Sequence, residues 1–276
     1  GARLLRRWLE QPLAQCEAIT ARLDAVAELL TASAYRRQLR QILRRMHDIE
    51  RLVGRLACGT ATARHLVALR VSLAHLPDIR RLLAPVQAPL LHSLRDACSG
   101  AEGCVDLIQR AIVDEPPITL RDGGVIRPGY DAALDRLLEE TADHTSWIAR
   151  LQAQERQKTA IKSLKVGFNQ VFGYYIEISK ANLHLVPEHY IRKQTLTNGE
   201  RFITETLKER EVAILHASEQ RSSREYRLFL ELREGIAGHA ALLQQIAAAV
   251  AQLDTLAALA EVAALYDYVR PQIDTS

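Results

Sequence analysis

Aromatic residues are scarce: they make up only 5% of the 276 positions. The core must therefore come mostly from Leu, Ala, Ile and Val, a composition better suited to helix packed on helix than to a sandwich or barrel. Cysteine is also sparse. Cys16, Cys58, Cys98 and Cys104 form no CxxC pair and have no zinc-ligand spacing. They read as isolated thiols in a reducing compartment, and the segment between Cys98 and Cys104 reads as a helix–helix loop. No run reaches the roughly 18–20 unbroken apolar residues of a membrane span. The opening GARLLRRWLEQPL carries basic charge without an apolar signal core, so a cytoplasmic location is expected. Net charge is +3, too small to argue for nucleic acid. No GxxxxGK[ST] loop occurs. His184, Glu188 and His189 stand without a carboxylate cluster, metal spacing or nucleophile–base pair, which leaves a hydrolase or nuclease unsupported.

What is present is mostly helical periodicity. Leu4, Leu5, Trp8 and Leu9 form a first stripe, ended by Pro12. A second runs from Cys16 through Ile19, Leu23, Val26 and Leu30. A third is expected as one helix from Tyr35 to Leu56, with seven Arg against Asp48 and Glu50 on its opposite side, read as a solvated face. Thr62 to Leu76 reads as a helix stopped by Pro77, and shorter pieces cover Ile79–Leu83, Leu90–Ala97 and Glu102–Ile112. Pro116 and Pro117 exclude helix, and Asp122-Gly123-Gly124 signals a tight structural turn. A long helix then starts after Pro128-Gly129 and reaches about Lys158, and another begins past Glu205. The middle of the latter, His216 to Arg224, lacks an apolar stripe, as expected of a helix bridging solvent. Gly235 and Gly238 are expected to break it before an Ala-rich packing helix, His239 to about Tyr268.

Between the two long helices the period changes to alternation. Leu164 to Phe168, Tyr174 to Ile178, Tyr190 to Leu196 and Arg201 to Ile203 read as strands. Asn198-Gly199 closes the last pair by supplying positive φ. Tyr174, Tyr175 and Ile178 read as the core of this tip. From Arg156 to Arg201 eight Lys or Arg face three Glu, a net of +5. A basic β tip on a helical arm suits sequence-independent contact with a phosphate backbone.

Several stretches carry a family resemblance. Leu164-Lys165-Val166-Gly167-Phe168-Asn169, Gly173-Tyr174-Tyr175-Ile176-Glu177-Ile178-Ser179 and the hairpin from Arg192 to Ile203 resemble the clamp region of the MutS family of DNA mismatch-repair proteins. Gly1 to Leu13 and Ile19 to Val26, with Arg22, resemble the family's core or lever domain. Leu120-Arg121-Asp122-Gly123-Gly124-Val125-Ile126 and Gly129-Tyr130-Asp131 resemble the lead-in to its long lever helix. The likeness covers essentially the whole chain.

The resemblance implies a mainly α fold: a helical lever or core bundle with two long helices carrying a small inserted antiparallel β clamp. Lever residues 1–145 and 206–276 would flank a clamp at 146–205. It implies contact with double-stranded DNA through Arg192, Lys193, Gln194, Thr195, Thr197, Asn198 and Arg201. Thr197 and Gln170 stand where relatives often carry a basic residue. The chain is expected to be a piece of a larger bacterial, nucleoid-associated protein. Its mismatch-reading domain with a Phe-x-Glu wedge, and its ATPase domain using ATP and Mg, would lie outside this piece. The piece itself would be no enzyme, bind no cofactor and be a monomer, although the parent dimerises. The alternative is a structural lever or protein-interaction scaffold without DNA affinity of its own.

Overall fold

The computed structural model describes every residue except Arg121, Asp122, Gln170, Phe172, Thr275 and Ser276. The sequence motif through Arg121 and Asp122, and the substitution noted at Gln170, lie outside the described residues. The chain forms two compact units: residues 1–127 with 228–276, and residues 128–227.

The first unit is helical. It contains α1 (Ala2–Glu10), α2 (Cys16–Thr31), α3 (Ser33–Leu43), α4 (Ile49–Ala57), α5 (Ala63–Leu73), α6 (Leu76–Leu82), α7 (Pro89–Ala97), α8 (Glu102–Ala111) and α11 (Ala240–Tyr266). At its centre is α11, which packs on α1, α2, α3, α4 and α7. Its Leu243, Ile246, Leu253, Leu256, Ala257 and Ala260 are fully buried. By length and composition α11 could cross a membrane, with a mean hydropathy of 1.5 over its most apolar window. Here 44% of that window is buried, against neighbouring helices.

Three expectations are corrected in this unit. The stripe from Tyr35 to Leu56 is two helices, because Asp48 accepts the Arg51 N–H at 3.0 Å and caps a new start at α4. Pro77 lies in the first turn of α6 instead of stopping a helix; that position has no backbone donor to lose. The arginine face is also not uniformly solvated. Arg36 is buried, donates to the Leu29 and Leu30 carbonyls at the end of α2, and pairs with Glu261 at 2.8 Å. Arg40 joins the same carboxylate at 2.7 Å, and these two arginines hold the Glu261 carboxyl below its ordinary range.

After α8 the chain doubles back. Ile112 and Ile126 form one antiparallel bridge, Gly123 and Gly124 take positive φ, and Asp114 pairs with Arg70 and Arg127 at 3.0 and 3.1 Å.

The second unit contains α9 (Ala132–Thr159), four strands and the first part of α10 (Glu205–Ala237). At 1.5 Å per residue the 28 residues of α9 extend roughly 42 Å. Asp131 caps α9 by accepting the Leu134 N–H at 2.8 Å, and it also receives the Arg224 Nε at 3.0 Å. Bonding to Arg224 holds the Asp131 carboxyl below its ordinary range. This pairing ties the start of α9 to the polar stretch of α10. Gly235 does not break α10; the chain turns at Gly238.

The strands β1 (Lys165–Asn169), β2 (Gly173–Ser179), β3 (Ile191–Thr195) and β4 (Gly199–Ile203) form one antiparallel sheet in the order β1-β2-β4-β3. Its inner face carries Ile176, Ile178 and Phe202. They pack with Leu151 of α9, Leu207 of α10, Ile161, Leu164 and Tyr190. This small core closes on the two long helices, so the sheet does not depend on strand pairing alone.

All four cysteines are free. Burial pushes the Cys98 thiol up to about 11 and raises that of Cys104, and a thiol so shifted is inert near neutrality. Native protein treated with a thiol reagent at about pH 8 should be labelled at exposed Cys58 and half-buried Cys16. Cys98 and Cys104 should react only after denaturant is added, as read by peptide mass spectrometry.

Candidate nucleic-acid interface

Each long helix sends one nearly buried carboxylate into the sheet module. Glu155 of α9 accepts the Tyr190 hydroxyl at 2.6 Å and the Lys158 ammonium at 3.1 Å. Burial, reinforced by this carboxylate, holds the Tyr190 phenol well above its ordinary value. Glu211 of α10 accepts the Tyr174 N–H at 2.8 Å and lies 3.9 Å from Lys193 Nζ. Gly173, with φ of 70°, is required for that contact, because a Cβ there would overlap the Glu211 carboxylate. Two further bonds tie α9 to the first strand: Val166 N–H donates to Gln152 at 2.9 Å, and Arg156 Nε donates to the Leu164 carbonyl at 2.7 Å.

The outer face of the sheet is a row of stacked and bonded side chains. Gly167 lies opposite Tyr175, and a Cβ on Gly167 would crowd the tyrosine ring. The Arg201 guanidinium stacks over Tyr175 at 3.9 Å from the ring centroid. It also pairs with Glu177 at 3.0 Å and donates to Gln194 at 3.0 Å. Tyr175 was expected in the tip core and does not join it, whereas Tyr174 and Ile178 do. Alternation along β2 puts Tyr175 on the opposite face.

The hairpin between β3 and β4 is present, but not for the reason first given. Neither Asn198 nor Gly199 takes the left-handed, positive-φ conformation. Gly199 is needed because a Cβ would overlap the Ile178 carbonyl oxygen on β2. The turn is held by Leu196 N–H to the Gly199 carbonyl at 2.8 Å.

The seven residues expected to meet DNA divide into two groups. Arg192, Lys193, Thr195, Thr197 and Asn198 are exposed along β3 and its turn. Gln194 and Arg201 are half-buried and bonded to each other. β3 is an edge strand, and its register shifts between Arg192 and Gln194, so Lys193 is the extra residue of a bulge. Charge and a bulge on an edge also discourage pairing with another chain. Arg192 lies 3.6 Å from Glu200.

The local charge needs revision. The window from Arg156 to Arg201 omits Glu155 and Glu211, which the fold returns to the module. Including them lowers +5 to +3. Sequence reasoning also missed Lys162, Lys165 and Lys180 as a group. All three are exposed, and none takes part in an ion pair among the described residues. Only the strand register could have brought them together. The Phe-x-Glu spacing does occur once, at Phe229-Leu230-Glu231. It lies inside α10 with Phe229 fully buried, so it is a packing element and not an exposed wedge.

A helical body carrying a small antiparallel sheet between two long helices defines the class of architecture. The profile of the family described as MutS domain III matches residues 1–260, and the chain belongs to that family. It is 50% identical over its whole length to the DNA mismatch repair protein MutS of Symbiobacterium thermophilum, covering 32% of that protein. It is 48% identical over 99% of its length to the protein of the same name from Thermosynechococcus vestitus, covering 31%. Against the one from Geobacillus thermodenitrificans it is 48% identical over its whole length, covering 30%. The chain thus spans about a third of the length of these relatives.

Replacing Tyr190 by Phe leaves a buried carboxylate short of one hydrogen bond, and should cost about 2 kcal/mol. Gly173→Ala strains the backbone and displaces Glu211, and should cost at least as much. Denaturant unfolding checks both. Phe168→Ala removes a half-exposed ring whose centroid lies 4.9 Å from that of Tyr174, and should cost less than either.

Proposed function

We propose that this chain is the lever and clamp part of a MutS-like mismatch-repair protein. The β module, roughly residues 146–205, grips the backbone of duplex DNA without reading its sequence. The helical remainder relays conformational change between a mismatch-binding domain and an ATPase domain elsewhere in the parent. The observation that carries this reading is the exposed edge of the sheet: Arg192, Lys193, Thr195, Thr197 and Asn198 follow one another along β3 and its turn, all of them side chains able to reach phosphate oxygens. Family membership and the name shared by the relatives, DNA mismatch repair protein MutS, give it context.

Gln194 and Arg201 have a supporting part here. With Tyr175 and Glu177 they stiffen the sheet beneath the exposed row. Thr197 offers only a hydroxyl at the tip of the turn, so the hairpin grips with less charge than a lysine there would give. ATP, Mg and dimerisation belong to the parent in this reading, and the chain alone is a non-catalytic monomer in a bacterial cytoplasm.

With few phosphate contacts, binding by this chain alone is expected to be micromolar or weaker at physiological salt. Fluorescence anisotropy with a labelled duplex should show binding that falls steeply with salt and does not distinguish a mismatched from a matched duplex. Arg192→Glu/Lys193→Glu reverses two charges beside Glu200 and Glu211 and should weaken it severalfold further. A chain that leaves duplex DNA unbound even at the lowest salt would favour the lever or scaffold reading instead.

A further inference from the structure

We infer that the grip is centred on one end of the sheet, where Lys162, Lys165 and Lys180 converge on the Thr197–Asn198 turn, and that the edge pair Arg192 and Lys193 is secondary. This rests on the DNA-contact reading above and says which part of the module supplies the charge.

The register builds that end. Lys165 opens β1 opposite Glu177 near the close of β2. Ser179 pairs with Gly199, and Thr195 pairs with Glu200. The Lys180 N–H donates to the Asn198 carbonyl at 3.1 Å, which fixes Lys180 against the turn. The Asn182 amide donates to the Ser163 hydroxyl at 2.9 Å and to Ser179 at 3.2 Å, bringing in the segment that carries Lys162. Three separate stretches of chain, 162–165, 177–182 and 195–200, therefore meet at a single end.

Charge separates this end from the edge. Both acids near it already have an arginine: Glu177 holds Arg201 at 3.0 Å, and Glu200 holds Arg192 at 3.6 Å. Lys193 faces Glu211. Binding phosphate through Arg192 or Lys193 means competing with a carboxylate already in place. None of the three lysines takes part in an ion pair among the described residues, and Glu177, opposite Lys165, already holds Arg201. Around them the exposed Thr195, Thr197 and Asn198 can donate to phosphate oxygens. Uncompensated cations carry the counterion release that drives such binding.

The test compares two sets of neutral substitutions in the full chain: Lys162→Gln/Lys165→Gln/Lys180→Gln, and Arg192→Gln/Lys193→Gln. All five positions are exposed, and circular dichroism checks that helix content is unchanged. Binding to one fluorescent duplex of about 30 base pairs is followed across a salt series. Each phosphate contact adds about 0.9 to the slope of log affinity against log salt. The triple lysine variant should lose about tenfold or more in affinity at low salt and flatten that slope by about 2 to 3. The edge variant should change both by less than half as much. An equal or larger effect of the edge variant, or an unaltered slope in the triple variant, overturns the inference while leaving the DNA-contact reading intact. No binding by the wild-type chain at the lowest salt overturns both.

Discussion

Everything the tip can do depends on two carboxylates set into it by the long helices. Glu155 reaches from α9 to the Tyr190 hydroxyl, and Glu211 reaches from α10 to the Tyr174 amide. Both are largely shielded from water, where a charge is costly unless it is bonded. The sheet supplies those bonds. A four-stranded sheet of this size has little core of its own, and nine buried residues complete it only by including Leu151 and Leu207 from the helices. The carboxylates then fix how the sheet is seated on the arm. Gly173 is the sequence feature that permits one of these contacts, since any side chain there would occupy the place of the Glu211 oxygen.

A tip seated in this way has two dissimilar faces. The inner one is apolar and closed by the helices. Across the outer one, Gly167, Tyr175, Arg201 and Gln194 form a continuous chain of contacts over all four strands. An arginine held by a ring, a carboxylate and an amide loses most of its freedom to reach a ligand. Such a residue stiffens the surface more than it binds. In the proposed reading, the residues left to bind are those at the margins: the charged edge β3, and the end where the lysines collect. Backbone contact without base readout needs this kind of surface, rigid in outline and flexible only in its long cationic side chains.

Much of the architecture could be read from the chain. The helical stripes placed most of the helices, and the switch to alternation placed the four strands. The break between α3 and α4 was hidden because Ile42, Met46, Ile49 and Val53 keep the helical period straight through it. Only the cap at Asp48 marks the new start. Gly199 was assigned to its hairpin on a conformational argument, whereas its role is close approach to Ile178. Tyr175 was placed with the core as part of the alternating run beside Gly173, although neighbours on a strand point to opposite faces. The candidate site was legible in its edge strand and not in its lysine end. The partners of Arg192 and Lys193 and the gathering of Lys162, Lys165 and Lys180 are products of register, and no local pattern announces them.

The most direct test is a lysine-acetylation footprint of the native chain with and without duplex DNA at low salt, read by peptide mass spectrometry. The account predicts that DNA protects Lys162, Lys165 and Lys180 strongly, Lys193 weakly, and Lys208 on α10 not at all. Protection confined to Lys193, or spread evenly over every exposed lysine, would contradict it.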